Sequence, residues 1–332
     1  MNTLCELKFS SEGATRIVVG SVADELQKLL PEGRVITILD AEVDSHHNLS
    51  ERLPESILIP GGEENKNLEL AAMLWKELID SKADRNTFLL AVGGGVVMDL
   101  VGFVASTYMR GVRFGFVPTT LLGQIDAAIG GKCAVNMGGY KNMVGLFSPA
   151  DFVLCDASLL STLPDRQLRS GVAEMIKSAI VGDAELFRML EEGDLQSLKR
   201  DGKLLEEMME RCVRVKCRVV AADPYEKGLR KVLNLGHTLG HAVESLTEEY
   251  THGEAVAVGL AWAARVAAER GLFASKEAQR VVAVVEKYGL PTSVAIAQEE
   301  LLEAMTHDKK SSPEGVKIVL PESIGKCGIH SL

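Results

Sequence analysis

The stretch that most restricts the fold is TFLLAVGGGVVMDLVGFVASTYM, residues 87–109. Its length and apolar character would suit a bilayer. Three consecutive glycines and Asp99 interrupt it. TFLLAV reads as a buried strand, GGG at 93–95 as a tight turn and VVMDLVGFVASTY as a packed helix. A continuous apolar strand feeding a helix through glycine belongs to a parallel sheet covered on both faces. No membrane span is expected.

The rest of the first half repeats this texture. RVITIL (34–39), ILIP (57–60), FGFVP (114–118) and DFVLCD (151–156) read as strands, and NLELAAMLWKELIDS (67–81) as a helix. Ligands of such sheets sit in loops at the carboxyl ends of the strands. From about residue 157 the pattern turns helical, through SGVAEMIKSAIV, KLLEEMMERCVRVKCRVVAAD, HTLGHAVESL and GEAVAVGLAWAARVAAERG. Only VKIVLP (316–321) resembles a strand there. The expected fold is an α/β N-terminal domain with a parallel, Rossmann-like sheet over residues 1–156, followed by a mostly α-helical domain over 157–332. A chain of 332 residues fits two cores better than one.

The formal net charge of −10 makes nucleic acid and acidic membranes poor partners. An anionic small molecule would need a local cluster of cationic residues. The cysteines at 5, 133, 155, 212, 217 and 327 form no CxxC pair, and scattered reduced thiols suit the cytoplasm. MNTLCELKFS lacks the basic and apolar regions of a signal peptide.

Glycines 93–95 let a backbone approach a pyrophosphate, and the helix that follows favours negative charge at its start. The fingerprint GxGxxG is not met, because Met98 holds its third glycine position. A turn that needs glycine only for packing is the alternative. Asp40, after an early strand, suits either ribose hydroxyls or a helix cap.

Residues 234–254, NLGHTLGHAVESLTEEYTHGE, hold three of the seven histidines. His237 and His241 are spaced i, i+4 and share a helical face. His252 directly precedes another helix. Two histidines and a carboxylate form a common catalytic metal set with one open position. Glu174, charged within the apolar SGVAEMIKSAI, is the carboxylate candidate, and Lys177 lies one turn on. Spacing alone leaves open that the histidines are structural and that Glu174 and Lys177 are a plain ion pair.

Several segments together resemble 3-dehydroquinate synthase: GGEENK (61–66), GGGVVMDLVGF (93–103), YMRG (108–111), VPTTLLGQIDAAIGGKCAVN (117–136), GYKNMVG (139–145), SGVAEMIK (170–177), LNLGHTLGHAVE (233–244), HGEAVAVG (252–259) and HDKK (307–310). They run in family order over nearly the whole chain. The resemblance implies NAD, one divalent metal (zinc or cobalt), and a cytoplasmic homodimer acting on a sugar phosphate. By motif, Glu174, His237 and His252 would hold the metal, and His241 would stand behind it or act on substrate. NAD contacts would come from Asp40, Glu63, Lys66, Gly94, Gly95, Asp99, Thr119, Thr120 and Thr162, with Lys132 and Lys141 alongside. Catalytic or substrate contacts would come from Asp126, Lys132, Lys141, Asn142, Lys177, Lys216, Arg230, Asn234, His241 and Lys309, with Arg110 reaching the phosphate of the neighbouring subunit. Lys132 is expected to be shielded, since it lies in the apolar AAIGGKCAV.

The implied reaction turns 3-deoxy-D-arabino-heptulosonate 7-phosphate into 3-dehydroquinate and phosphate. It runs by transient oxidation with NAD, phosphate elimination, reduction and intramolecular aldol closure. Sister cyclases acting on sedoheptulose 7-phosphate or glucose 6-phosphate, a metal-dependent polyol dehydrogenase and an inactive NAD-binding scaffold are the rivals. Two departures from the family pattern stand out. Met98, in place of a small residue, is expected either to shift the helix start or to narrow the pyrophosphate site and so to alter NAD affinity, and the tail after VLPESIG is shorter than in many relatives.

Overall fold

A computed structural model describes residues 3–9, 13–307 and 317–331. The implied substrate residue Lys309 lies outside the described residues. The chain forms two compact units, Met1–Leu163 and Pro164–Leu332.

In chain order the first unit holds β1 (Thr3–Lys8), β2 (Ala14–Val19), α1 (Val22–Leu29), β3 (Val35–Asp40), α2 (Ala41–His47), β4 (Ser56–Ile59), α3 (Leu68–Asp80), β5 (Phe88–Gly93), α4 (Gly95–Thr107), β6 (Phe114–Pro118), β7 (Lys132–Met137), β8 (Tyr140–Phe147) and β9 (Phe152–Cys155). Seven strands make one sheet in the order β1-β2-β9-β6-β5-β3-β4. All its pairings are parallel except β1 with β2. Every residue of β3, β5 and β9 is buried. Successive strand side chains point to opposite faces, so burial throughout means that both faces are covered. From β3 the chain moves outward to β4, then crosses back to β5 on the other side of β3. That reversal opens a crevice beyond the carboxyl ends of β3 and β5. Asp40 ends β3 and Gly93 ends β5, so the aspartate and the glycine turn flank it.

Two features of this unit were not expected from sequence. β1 and β2 form an antiparallel hairpin at the sheet edge, and β7 and β8 form a separate two-stranded sheet. Lys132 opens β7 and is exposed although Cys133, Ala134 and Val135 beside it are buried, which corrects the expectation that it is shielded. Met98 is also corrected. Its side chain is 1% exposed and packs into the core, so it does not narrow an open loop.

The second unit is mostly helical: α5 (Asp165–Gly182), α6 (Ala184–Glu192), α7 (Leu195–Arg200), α8 (Gly202–Ala222), α9 (His237–Leu246), α10 (His252–Glu269), α11 (Ser275–Lys287) and α12 (Gln298–His307). β10 (Lys317–Ser323) pairs with β11 (Lys326–Ser331), a strand that its polar sequence KCGIHS hides. α5 is buried almost without interruption from Leu168 to Val181. Among the described residues no helix is long and apolar enough to cross a membrane. Cys133, Cys155, Cys212 and Cys327 are free thiols, as their scattered spacing predicts.

Candidate active site

Three segments of the second unit converge through glycine. A Cβ at Gly253 would fall 2.2 Å from the carbonyl oxygen of Ser170, so only glycine lets α10 begin against α5. A Cβ at Gly259 would fall 1.8 Å from the carbonyl oxygen of Gly236, the residue that turns the chain into α9. A capping box fixes the start of α10: Thr251 Oγ1 accepts from Glu254 N–H, and the Glu254 carboxylate accepts from Thr251 N–H. Arg166 of α5 grips the same carboxylate at 2.7 Å.

The result is one acid between two imidazoles. Glu174 on α5 is fully buried. Its Oε1 lies 3.2 Å from His252 Nε2 and 3.5 Å from His237 Nε2. Ligand atoms of all three lie within 4.8 Å of one another. His237 Nδ1 faces the carbonyl oxygen of Leu235 at 3.1 Å, which leaves its Nε2 for the cluster. Two imidazoles and a carboxylate suit zinc or cobalt, so the donor set fits a divalent ion. Burial, then the charges of Lys177, His252 and His241, push His237 well below the usual histidine pKa. Burial opposes charge on His252 as well, but hydrogen bonds to Glu174 and Glu244 outweigh it and raise its pKa to about 10. The metal-free cluster therefore holds one neutral ring and one charged ring at pH 7.

Other predicted residues of this unit surround these elements. Lys177, one turn beyond Glu174, is buried and pairs with its carboxylate. The His241 ring stands 5.4 Å from that of His237, edge to face, and is exposed; it is outside the set of three donors. Asn234 donates to Glu226 Oε1 at 2.8 Å. Arg230 is buried and donates to the Pro224 carbonyl oxygen at 2.5 Å, while the Asp223 carboxylate accepts from the backbone N–H groups of Lys227, Gly228 and Arg230. Lys216 lies on α8, half-buried.

In the first unit, Gly94 caps α4 without any side chain, and Gly95 is the helix's first residue. The Thr119 N–H donates to the Gly93 carbonyl oxygen at 2.8 Å, and Thr120 Oγ1 accepts from Gly123 N–H at 3.0 Å. Thr119 Oγ1 is buried with no hydrogen-bond partner. An unfilled hydroxyl beside a bare glycine helix start fits a dinucleotide phosphate group. Asp40 caps α2 through Glu42 N–H, and burial raises its pKa against that backbone hydrogen bond. Lys66 is buried and donates to Asp99 Oδ2 at 2.5 Å and to Asn142 Oδ1 at 2.6 Å. Burial raises the pKa of Asp99 despite Lys66. Asn136 ties this group together, donating to Glu63 Oε1 at 2.8 Å and accepting from Asn142 N–H at 3.0 Å. Thr162 Oγ1 meets His47 Nε2 at 2.8 Å. Asp126 sits half-buried in a π-turn (Gly123–Ala127), and Lys141 is exposed on β8. Arg110 is exposed in a left-handed stretch, with φ of 50° at Met109 and 71° at Arg110.

Family models for the N-terminal and C-terminal parts of 3-dehydroquinate synthase match residues 56–170 and 171–311. The chain belongs to the 3-dehydroquinate synthase family. A 3-dehydroquinate synthase of Dehalococcoides mccartyi (strain BAV1) is 40% identical over 94% of this chain and 91% of its own length. Among solved structures, the 2-epi-5-epi-valiolone synthase ValA of Streptomyces hygroscopicus subsp. jinggangensis 5008, with NAD+ and Zn2+ bound, superposes with a TM-score of 0.89 at 31% identity, covering 98% of this chain and 95% of ValA. A 2-deoxy-scyllo-inosose synthase complexed with carbaglucose-6-phosphate, NAD+ and Co2+ superposes with a TM-score of 0.86 at 27% identity, covering 98% and 94% of the two chains.

For a 3-dehydroquinate synthase family member, three side chains escaped the sequence reading. Asn136 and Glu226 join residues that were singled out, and Glu244 meets His252. Asn136 and Glu244 end quoted family segments, so their positions were in view without their contacts. Glu226, in PYEKG, carries no local signal at all.

Proposed function

We propose that this chain is a 3-dehydroquinate synthase, converting 3-deoxy-D-arabino-heptulosonate 7-phosphate to 3-dehydroquinate and inorganic phosphate. The observation that carries the reading is the convergence of Glu174, His237 and His252 within a chain of this family. When bound, NAD would take and return a hydride, and the divalent ion would acidify the hydroxyl being oxidised.

The chain's own residues bind, orient and move protons. Glu174, His237 and His252 would hold the ion, and Lys177 balances the buried carboxylate in its absence. Gly94, Gly95, Thr119 and Thr120 suit the dinucleotide phosphates, and Asp40 and Glu63 the ribose hydroxyls. Lys66, Asp99 and Thr162 complete the cofactor side. Arg230, Lys132, Lys141, Asn142 and Lys309 offer the cations and amides that an anionic sugar phosphate needs in an acidic protein. Asn234 would orient hydroxyl groups, and Asp126, Lys216 and His241 would orient them and carry protons. On this reading the base for the elimination is either the substrate's own phosphate or one of these side chains. Residues 1–156 would then serve mainly NAD, and 157–332 the metal and substrate. The same reading carries a cytoplasmic homodimer in which Arg110 reaches the neighbour's phosphate; sedimentation that gives a monomer would remove that part.

The deciding assay supplies the heptulosonate phosphate with metal and sub-stoichiometric NAD+. Phosphate and 3-dehydroquinate in equal amounts, with no net NADH, are expected. Accumulating NADH would instead indicate a dehydrogenase. Turnover of sedoheptulose 7-phosphate alone would move the substrate to that of a sister cyclase.

A further inference from the structure

His252 is held between two carboxylates, one on each ring nitrogen. Nε2 faces Glu174 Oε1 at 3.2 Å, inside the three-donor cluster. Nδ1 faces Glu244 Oε2 at 3.2 Å, outside it. Glu244 sits on α9 seven residues after His237, which is two helical turns along the same face. Its side chain is only 12% exposed. A carboxylate is rarely buried that far without a charged or hydrogen-bonding partner.

The two histidines of the cluster are oriented differently. His237 Nδ1 meets the main-chain oxygen of Leu235, two residues back in its own turn, so its orientation needs no side chain. His252 is the first residue of α10, and its side chain is 35% exposed. Its Nδ1 partner comes from another helix and is charged. We propose that Glu244 is the positioning residue of the metal centre. It accepts the Nδ1–H of His252, so that Nε2 is the nitrogen left to hold the ion once its proton is displaced, and makes that nitrogen a stronger donor. This rests on the metal reading of the Glu174–His237–His252 cluster and adds to it a residue that does not itself touch the ion. Hydrogen-bonded partners of this kind set ring orientation and ligand basicity, and their loss weakens metal binding about 10- to 100-fold.

The test is zinc affinity of the purified full chain, measured by competition with a chromophoric chelator at fixed pH. It compares the unsubstituted chain with Glu244→Ala, Glu244→Gln, His237→Ala and the exposed control Glu248→Ala. The absorption bands of the Co2+-loaded forms give a second readout of ligand-field strength. Glu244→Ala is expected to weaken zinc about 10- to 100-fold and to shift the Co2+ bands. Glu244→Gln, which keeps an acceptor but not the charge, should fall between, and Glu248→Ala should match the parent. A merely structural Glu244 would lower the melting temperature of the metal-free protein and leave zinc affinity and the Co2+ bands unchanged. A folded Glu244→Ala with parental zinc affinity overturns the proposal. If that variant does not fold, the near-isosteric Gln variant decides in the same way. His237→Ala separates the two levels. If it loses zinc while Glu244→Ala keeps it, only the role of Glu244 fails; if His237→Ala also keeps parental affinity, the metal reading fails with it.

Discussion

Replacing Gly259 by alanine should damage the metal cluster without touching a ligand. An alanine Cβ there would stand 1.8 Å from the Gly236 carbonyl oxygen, where ordinary contact begins near 3.4 Å. The obstacle is backbone, so no rotamer change relieves it. α10 must move away from the α9 turn by about 1.6 Å, and overpacking on this scale costs about 1–3 kcal/mol or more. Gly236 precedes His237, and Gly259 lies two turns along α10 from His252. The shift therefore acts on the separation of the two imidazoles. Metal–ligand distances tolerate only about 0.2 Å, so zinc affinity should fall together with stability. Urea unfolding of the metal-free protein and a chelator competition on the folded fraction measure the two effects separately. A Gly259→Ala protein with unchanged unfolding midpoint and unchanged zinc affinity would refute the reasoning.

Zinc binding should displace the proton that His252 carries in the metal-free protein, whose pKa is about 10. Between about pH 7 and pH 10 that proton alone should raise apparent zinc affinity about tenfold per unit, readable as proton release in buffers of different ionisation enthalpy. Glu254 behaves in the opposite sense. Burial works against its charge, but the Arg166 and Thr251 hydrogen bonds hold its pKa below the usual glutamate value. Its stabilisation is therefore present above the unfolded pKa near 4.5 and lost as pH falls through the lower folded value, and Arg166→Ala should flatten the acid limb of thermal melts. Lys66→Ala leaves Asp99 without its ion-pair partner; it should cost about 3 kcal/mol in chemical unfolding and weaken NAD binding in a fluorescence titration. Met98→Ala should cost about 2–5 kcal/mol of stability yet leave NAD affinity near the parent value, because the side chain fills the core and not the loop.

The parallel sheet was legible because β5 and β9 are apolar from end to end, and β3 is so apart from Thr37 and the terminal Asp40, as a doubly covered sheet requires. The order of strands was not, since β3 and β4 are neighbours through hydrogen bonds that no sequence window contains. The β1–β2, β7–β8 and β10–β11 hairpins were missed in whole or part because their partly exposed strands mix polar and apolar residues. In the metal cluster, spacing favoured His237 with His241, which do share a helix. The third donor, His252, starts a different helix, and tertiary packing brings it to Glu174: the glycine contacts among α5, α9 and α10 and the capped, Arg166-gripped start of α10. The family motif supplied what spacing could not. Glu226 and Glu244 stayed hidden for the same reason: each acts through a partner fixed by tertiary packing.

The most direct test of the account is anomalous diffraction at the zinc edge from crystals of the full chain soaked in zinc. The account predicts one strong peak within bonding distance of Glu174, His237 Nε2 and His252 Nε2, and none elsewhere of similar height. A dominant peak at another site, with those three side chains still paired to one another and to Lys177, would contradict it.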